Sequence, residues 1–352
     1  MGECGSGDVR LFNPTAAFIW RGLEERLSES SIARAIARDF GIDYGMALAD
    51  VAVTLDAWGA AGLATFEGQP VRVPTPSASP PSTPAHAVQV RRYRVGERAF
   101  RVRYSLAADA GRDAAAFLER VIALLAPLED CAGPDGPEVP MVVDASHETA
   151  FGPFCRAIVQ RLFGPFEWLF TMHAAVIAFD DRAVALCAPQ GSGKSTLAAW
   201  LAARGWRYFN DDLAFIDPDG PRVLPLPVAV GVKEGSRAIL ASEHAALHAA
   251  PLHRYGSKSA RYVAMPPASV AASPAPLAAI VFSRYEAGAD TAMHRIAAAQ
   301  AARHLMDAGI IFTPALRPEM VEWMGSFLRR VPCHQLSYSN LREAEAALRT
   351  IS

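Results

Sequence analysis

The sequence predicts an α/β fold for most of the chain, preceded by a small winged-helix-like α+β domain. Three observations support this prediction. A glycine-rich segment, residues 188–195, lies between an apolar strand pattern and a helix pattern. A Pro- and Ser-rich segment separates this region from the N-terminal part of the chain. The residues before that segment contain three short helical patterns, flanked by strand patterns at residues 9–12 and 63–66.

The Pro- and Ser-rich segment reads VRVPTPSASPPSTPAHA. Such a composition cannot bury a hydrophobic core and is typical of semi-extended chain. It predicts a linker over residues 69–87, between a small domain at residues 1–68 and a large domain at residues 88–352. A length of 352 residues agrees with two domains.

The helical patterns of the small domain are each preceded by a residue that can cap a helix. Asn13, followed by a proline, precedes the first pattern, and Ser30 or Ser31 can cap the second. Asp43 can cap the third. Three short helices with flanking strands predict a winged-helix-like module, for which DNA binding and plain packing are both common roles.

Charge argues against nucleic acid as a partner. Residues 1–68 carry ten acidic and five basic side chains, and the net charge of the whole chain is −2. Apolar runs are too short to cross a membrane, and the N-terminus shows no signal peptide, so we expect a cytoplasmic protein. Five scattered cysteines without a CxxC pair indicate neither a disulfide framework nor a zinc site.

The small domain also carries a family resemblance. The stretch GDVRLFNPTAAFIW, followed by a short amphipathic helix and DVAVTLDAWGAAGL, resembles PqqD-type peptide-recognition domains over about 60 residues. The resemblance implies that residues 1–68 bind the leader of a ribosomally synthesised precursor peptide, which adds as a strand to a small sheet.

The large domain begins with VQVRRYRVGERAFRVRYS, where charged and apolar residues alternate on both sides of Gly96. This pattern predicts a β-hairpin with its turn at Gly96. Its six arginines form either a basic patch or the solvated face of a strand, and the alternation favours the solvated face. Helical patterns follow at residues 114–128 and 155–170, and strand patterns at residues 174–178 and 183–187 lead into the glycine-rich segment.

The segment APQGSGKS matches a phosphate-binding P-loop, with Ala188 in place of the first glycine. Its glycines let successive backbone N–H groups turn towards phosphate oxygens, at a helix N-terminus that favours negative charge. We expect the lysine to reach the outer phosphates and the serine hydroxyl after it to bind Mg²⁺. The predicted nucleotide-binding residues are Gln190, Gly191, Ser192, Gly193, Lys194, Ser195 and Thr196.

Two adjacent carboxylates, Asp211 and Asp212, end the strand pattern that follows the P-loop helix. Paired acids near a nucleotide phosphate can divide two tasks, since one can hold Mg²⁺ while the other accepts the proton of an attacking hydroxyl. His173 precedes the strands that lead into the P-loop and is a candidate third member of the site.

The segment MHAAVIAFDDRAVALCAPQGSGKSTLAAWLAARGWRYFNDDLAFI resembles the catalytic core of HPr kinase/phosphorylase and related kinases of peptide-modifying pathways. The intervals from the histidine to Lys194 and from Lys194 to the acid pair match that family. The resemblance implies an ATP- and Mg²⁺-dependent kinase in which Asp211, Asp212 and His173 are catalytic. With Lys194 as the fourth catalytic residue, we expect Asp211 to be the base, and Ser195 and Asp212 to hold the metal. It also implies a homo-oligomer, because relatives assemble into rings.

The chain contains 31 arginines and only three lysines, all in the large domain. A lysine retained in such a chain indicates a position that needs a compact ammonium group. Lys233 is therefore a further candidate nucleotide-binding residue. Together the two resemblances predict a kinase that phosphorylates a hydroxyl, with serine favoured, of a precursor peptide. The alternatives are a small-molecule kinase and a nucleotide-gated peptide-delivery protein without transferase activity.

Overall fold

The computed structural model describes residues 14–40, 44–60, 86–107, 110, 112–143, 151–164, 166–189, 191–255, 258–313 and 318–351. These residues form two compact units, which divide between residues 60 and 86. The predicted strands at residues 9–12 and 63–66, the caps Asn13 and Asp43, and most of the predicted linker lie outside the described residues.

The N-terminal unit contains three helices with a shared apolar core. Ile19, Ile32, Ile36 and Val51 are fully buried in it. The second helix begins earlier than predicted, because the Ser28 hydroxyl, rather than Ser30 or Ser31, accepts a capping hydrogen bond from the Ser31 amide, at 3.3 Å. The helices are α1 (Pro14–Glu24), α2 (Glu29–Phe40) and α3 (Tyr44–Ala60).

The large unit begins with the predicted hairpin. Gly96 has φ +59° at the turn, a conformation in which glycine is favoured. The hairpin and a third strand, parallel to its second strand, form a small sheet against which two helices pack. These elements are β1 (His86–Val95), β2 (Arg98–Leu106), α4 (Arg112–Leu125), β3 (Glu138–Val143) and α5 (Phe151–Phe163).

The helix predicted over residues 155–170 is wrong at both ends. Helix α5 begins at Phe151 and ends at Phe163. Gly164, with φ +124°, follows it and lets the backbone leave the helical conformation. The last residues of the predicted helix are instead in strand β4 (Leu169–Met172), which is buried along its length. A continuous apolar run does not distinguish a buried strand from a buried helix.

A large mixed sheet forms the centre of this unit. Its strands are β4, β5 (Ala174–Phe179), β6 (Arg182–Cys187), β7 (Arg207–Asn210), β8 (Ala214–Asp217), β9 (Arg222–Leu224), β13 (Ala275–Tyr285), β14 (Ala292–Arg295), β15 (Ile310–Thr313) and β16 (Cys333–Tyr338). They run in the order β15-β4-β8-β9-β13-β6-β5-β7, while β16 pairs with β13, and β14 pairs with β16.

The remaining elements cover this sheet. Helix α6 follows the P-loop and is apolar on nearly all sides, which is typical of a helix buried in a core. A second small sheet has the order β10-β12-β11. These elements are α6 (Lys194–Ala203), β10 (Val230–Val232), α7 (Glu234–Leu240), β11 (Leu252–Tyr255), β12 (Lys258–Val263), α8 (Ala298–Ala308), α9 (Pro318–Arg330) and α10 (Leu341–Arg349).

The large sheet consists of two halves, and two short connections between them position the candidate site. Strands β4 and β8 belong to one half, and β5 and β7 belong to the other. His173 lies in the β4–β5 connection, while Asp211 and Asp212 lie in the β7–β8 connection. The division of the sheet therefore brings the histidine and the acid pair together. The predicted α/β fold of the large unit is confirmed.

Candidate functional site

The P-loop connects the end of β6 to the first residue of α6. Gly191 and Gly193 have φ of +89° and +93°, so both need the left-handed conformations that glycine tolerates. A Cβ atom at Gly193 would also lie 3.0 Å from the Tyr338 hydroxyl and 3.2 Å from Cβ of Tyr285. The Tyr285 amide donates to the Ser192 carbonyl at 3.2 Å, which ties the loop to β13. This geometry suits phosphate binding at the helix N-terminus.

Lys194, the first residue of α6, links the P-loop to the two connections. Its side chain is 5% exposed, and Nζ lies 2.8 Å from Nε2 of His173 and 3.3 Å from Oδ1 of Asp212. The ammonium donates to Nε2, which leaves the ring proton of a neutral imidazole on Nδ1. The predicted neighbourhood of His173 and the P-loop lysine is thus a direct contact.

The two acids have different surroundings. Asp211 is buried, and its Oδ1 accepts a hydrogen bond from the Ser195 hydroxyl at 3.0 Å. The Asp212 side chain is 60% exposed, and its backbone has φ +67°. The serine predicted to bind Mg²⁺ therefore contacts Asp211, the predicted base, while Asp212, the predicted metal ligand, contacts Lys194.

Burial changes the protonation equilibria of this site. Loss of solvation, with the Asp212 charge as a second cause, raises the pKa of the Asp211 carboxyl to about 7, although Lys194 and Ser195 oppose the rise. Burial also lowers the pKa of His173, and the Lys194 ammonium lowers it further. The site therefore combines a neutral histidine with a carboxylate that ionises only near neutral pH.

A cavity of about 290 Å³ opens on the phosphate side of this cluster. Lys233, at the start of α7, lines it together with the P-loop residues and both aspartates. The Thr196 and Ser236 hydroxyls lie 2.6 Å apart, which joins α6 to α7 beside the cavity. The cavity is also lined by Arg120, Tyr262 and Ser236, which the sequence analysis missed because no motif marks them.

The side chains facing the phosphate site fit Mg²⁺ by their chemistry. Ser195 and the two aspartates offer only oxygen atoms, the ligand type that Mg²⁺ prefers. Within the described residues, no group of three or more His, Cys, Asp or Glu side chains is arranged to hold a metal ion.

Several other sequence-based expectations have clear outcomes. Gln190 lies outside the described residues. The favoured interpretation of the hairpin arginines as a solvated face is confirmed, because four of the six are exposed and the other two are partly exposed, and most of them pair with carboxylates. These pairs are Arg91 with Glu129, Arg92 with Asp135, Arg94 with Asp130, and both Arg101 and Arg103 with Glu138.

No helix among the described residues has the length and apolar character that crossing a membrane requires.

No curated protein is detectably similar to this chain in sequence. A solved structure of the Hpr(Ser) kinase/phosphatase from Coxiella burnetii aligns over 51% of this chain and 94% of its own, at 10% identity and a TM-score of 0.26. A TM-score this low does not establish a shared fold. The kinase interpretation therefore rests on the P-loop, His173 and the acid pair.

Residues 5–64 match the family of coenzyme PQQ synthesis protein D, PqqD. The matched segment contains all of α1, α2 and α3. The predicted resemblance of the N-terminal domain to PqqD is therefore confirmed.

Proposed function

We propose that this protein is a cytoplasmic, ATP-dependent kinase that phosphorylates a hydroxyl group, with serine favoured, of a ribosomally synthesised precursor peptide. The observation that carries the proposal is the contact of the P-loop lysine Lys194 with both His173 and Asp212. A P-loop alone indicates phosphate binding, whereas a histidine and two carboxylates beside its lysine offer the groups that phosphoryl transfer needs.

Each group has a proposed role in the transfer. The Lys194 ammonium and the loop amides would bind the outer phosphates of ATP, and Lys233 would add positive charge from the facing wall of the cavity. Ser195 and Asp212 would hold Mg²⁺, which supplies further positive charge at the phosphates. His173, uncharged, would hold the Lys194 ammonium in position.

Asp211 is the proposed base, because a buried carboxylate is a better proton acceptor than a solvated one. The acceptor oxygen would attack the terminal phosphorus of ATP while its proton passes to the carboxylate. The bond from that phosphorus to the bridging oxygen would break, so that ADP leaves. The products would be the phosphorylated hydroxyl and ADP.

The N-terminal domain, residues 1–68, would supply specificity. The match to PqqD supports a role in binding the peptide leader, here through strand addition. Residues 69–87 would be a flexible tether to the kinase domain, residues 88–352. A tether of this kind raises the local substrate concentration to about the millimolar range, so that the catalytic site needs few sequence-specific contacts.

The proposal is tested by intact-mass spectrometry of the precursor peptide encoded beside this chain, after incubation with the full-length protein, ATP and Mg²⁺. We expect a gain of one phosphate group with the wild type and none with Lys194→Ala. The same peptide without its leader should be phosphorylated at least about tenfold more slowly at low peptide concentration, because it loses the tethering advantage.

Other outcomes separate the alternatives. Equal rates with and without the leader would favour a kinase that does not use its N-terminal domain to hold substrate. Peptide binding that depends on ATP but leaves the peptide mass unchanged would contradict the kinase proposal and favour a peptide-delivery protein.

The roles within the acid pair are tested by two amide variants. Asp211→Asn should lower the transfer rate by about 100-fold or more while leaving ATP binding in place, because it removes the base and keeps an oxygen for Ser195. Asp212→Asn should raise the Mg²⁺ concentration needed for half-maximal activity. If Asp212→Asn lowered the transfer rate in this way and Asp211→Asn raised the Mg²⁺ requirement, Asp212 would be the base and Asp211 the metal ligand.

A further inference from the structure

A second groove, with a volume of about 470 Å³, is lined by His173 of the candidate site. This volume is in the range of small-ligand sites. We call it the β15 groove, after the strand that forms one wall. Its lining includes Thr171, His173, Pro189, Leu213, Asp307 and Ile311.

The register of the sheet explains why these side chains face one space. Thr171 on β4 is directly opposite Ile311 on β15, and directly opposite residues point to the same side of a sheet. His173, which follows β4, also lines the groove, and its amide donates to the Gly309 carbonyl at 2.9 Å. The groove therefore runs from β15 to the histidine of the candidate site.

The catalytic cluster borders both this groove and the phosphate cavity. Asp212 lines the phosphate cavity, His173 lines the β15 groove, and their side chains approach to 3.9 Å. Pro189, at the start of the P-loop, also lines the groove. Phosphoryl transfer needs the attacking oxygen roughly in line with, and opposite to, the leaving group. An acceptor in the β15 groove would reach the cluster from the His173 side, and nucleotide would reach it from the Asp212 side.

The chemistry of the groove fits an extended peptide with an apolar residue near its hydroxyl. Leu213 and Ile311 form apolar walls, and Ile311 is 43% exposed although it lies on a strand. In the part of the chain that the structure describes, β15 pairs with β4 alone, so its other edge is open to strand addition. Asp307 is exposed at the rim and adds one negative charge.

We propose that the β15 groove binds the acceptor segment of the peptide substrate, as an extended strand beside β15 with its hydroxyl directed past His173 to Asp211. An apolar side chain of that segment would contact Ile311 and Leu213, and a basic side chain next to it would lie near Asp307. This inference rests on the proposed kinase function and assigns it a second substrate site, separate from leader binding.

The first test is Ile311→Asp in the full-length protein, assayed with the precursor peptide. Val142→Asp is the matched control, because Val142 is 42% exposed, β-branched and on β3, an edge strand of the small sheet that β3 forms with β1 and β2. We expect Ile311→Asp to raise KM for the peptide about tenfold, the effect of losing one apolar contact, without changing KM for ATP. Val142→Asp should change neither constant.

The second test exchanges charge at the rim and does not depend on an apolar substitution. Peptides with Lys or with Glu beside the phosphorylated residue are compared with wild type and Asp307→Lys. The wild type should prefer the Lys peptide several-fold in kcat/KM, and Asp307→Lys should prefer the Glu peptide.

The outcomes distinguish this inference from the function on which it rests. Phosphorylation by Ile311→Asp with the constants of Val142→Asp, together with an unchanged charge preference in Asp307→Lys, would overturn the groove assignment and leave the kinase function intact. A wild type that binds ATP and peptide but transfers no phosphate would overturn both.

Discussion

Two buried carboxylates lie at opposite ends of helix α6, and their surroundings differ. Asp211, near the N-terminus of the helix, accepts one hydroxyl hydrogen bond and has a second carboxylate beside it. Glu345, on α10 beyond the C-terminus of α6, accepts hydrogen bonds from Arg204, Trp206 and Arg349. Burial raises the pKa of Asp211 to about 7. Burial also favours a raised pKa at Glu345, but its three donors outweigh burial and lower it.

The difference separates a carboxylate that stabilises the fold from one that is available for chemistry. Glu345 has its negative charge neutralised by protein donors and joins α10 to the end of α6. Asp211 is desolvated without equivalent neutralisation, a state that lowers stability unless a cation or a proton compensates. Such under-compensated groups concentrate at functional sites.

The largest expected effect of changing either carboxylate is on the rate of phosphate transfer. Asp211→Asn should lower the rate of phosphate transfer by about 100-fold or more, the usual contribution of a general base. Glu345→Gln should keep the rate within about twofold of wild type. The rates are measured by phosphopeptide formation at saturating ATP, and a large loss in Glu345→Gln would mean that the two ends of α6 are not independent.

The next largest expected effect is on the free energy of unfolding, where the Glu345 variant should lose more than the Asp211 variant. Glu345→Gln should lower the free energy of unfolding by about 2 kcal/mol, because charged hydrogen bonds to two arginines are weakened in a largely buried position. Asp211→Asn should leave stability unchanged or raise it at pH 8, because it removes a desolvated charge. Thermal unfolding of the full-length variants, without nucleotide, checks both signs.

The two carboxylates should also give opposite pH dependences. The folded pKa of Asp211 is above the ordinary value of 3.8, so its ionisation lowers stability as the pH rises from about 4 to about 7. The folded pKa of Glu345 is below 4.5, so its stabilising contribution is present above that pH and is lost as the pH falls through the folded value. The melting-temperature difference between Asp211→Asn and wild type should therefore grow from pH 5 to pH 8.

The smallest expected effect is at an exposed ion pair, which we compare with the two buried carboxylates. Arg92 and Asp135 form an ion pair at 2.7 Å, but both side chains are about half exposed. Exposed pairs contribute little, because water and salt screen them. Arg92→Gln should leave the melting temperature and the transfer rate unchanged within error. A clear loss of stability would show that the arginine face of the hairpin acts as a network.

The sequence was sufficient for the local parts of the site. The P-loop, the acid pair and the hairpin turn at Gly96 are short motifs with strand or helix signals beside them. Their positions depend on neighbouring residues, so they could be predicted. The proximity of His173 to Lys194 was anticipated from its place before the hairpin, because an antiparallel return brings the two ends of such a segment together.

The sequence was insufficient where pairing is long-range. Nothing local indicates that Ile311 pairs opposite Thr171, or that Glu345 accepts from Arg204 and Trp206. These contacts depend on how distant strands and helices are arranged. The end of α5 was mispredicted for a related reason, because buried strand β4 has the same apolar character as a helix in a core.

The tie between the Tyr285 amide and the Ser192 carbonyl has a thermodynamic consequence for ligand binding. Because this hydrogen bond holds Ser192 before a nucleotide arrives, that residue loses less conformational entropy on binding, so more of the interaction energy appears as affinity. Association then needs no prior ordering of the loop and should be fast. Releasing this tie would slow nucleotide capture, even though no group that touches phosphate is changed.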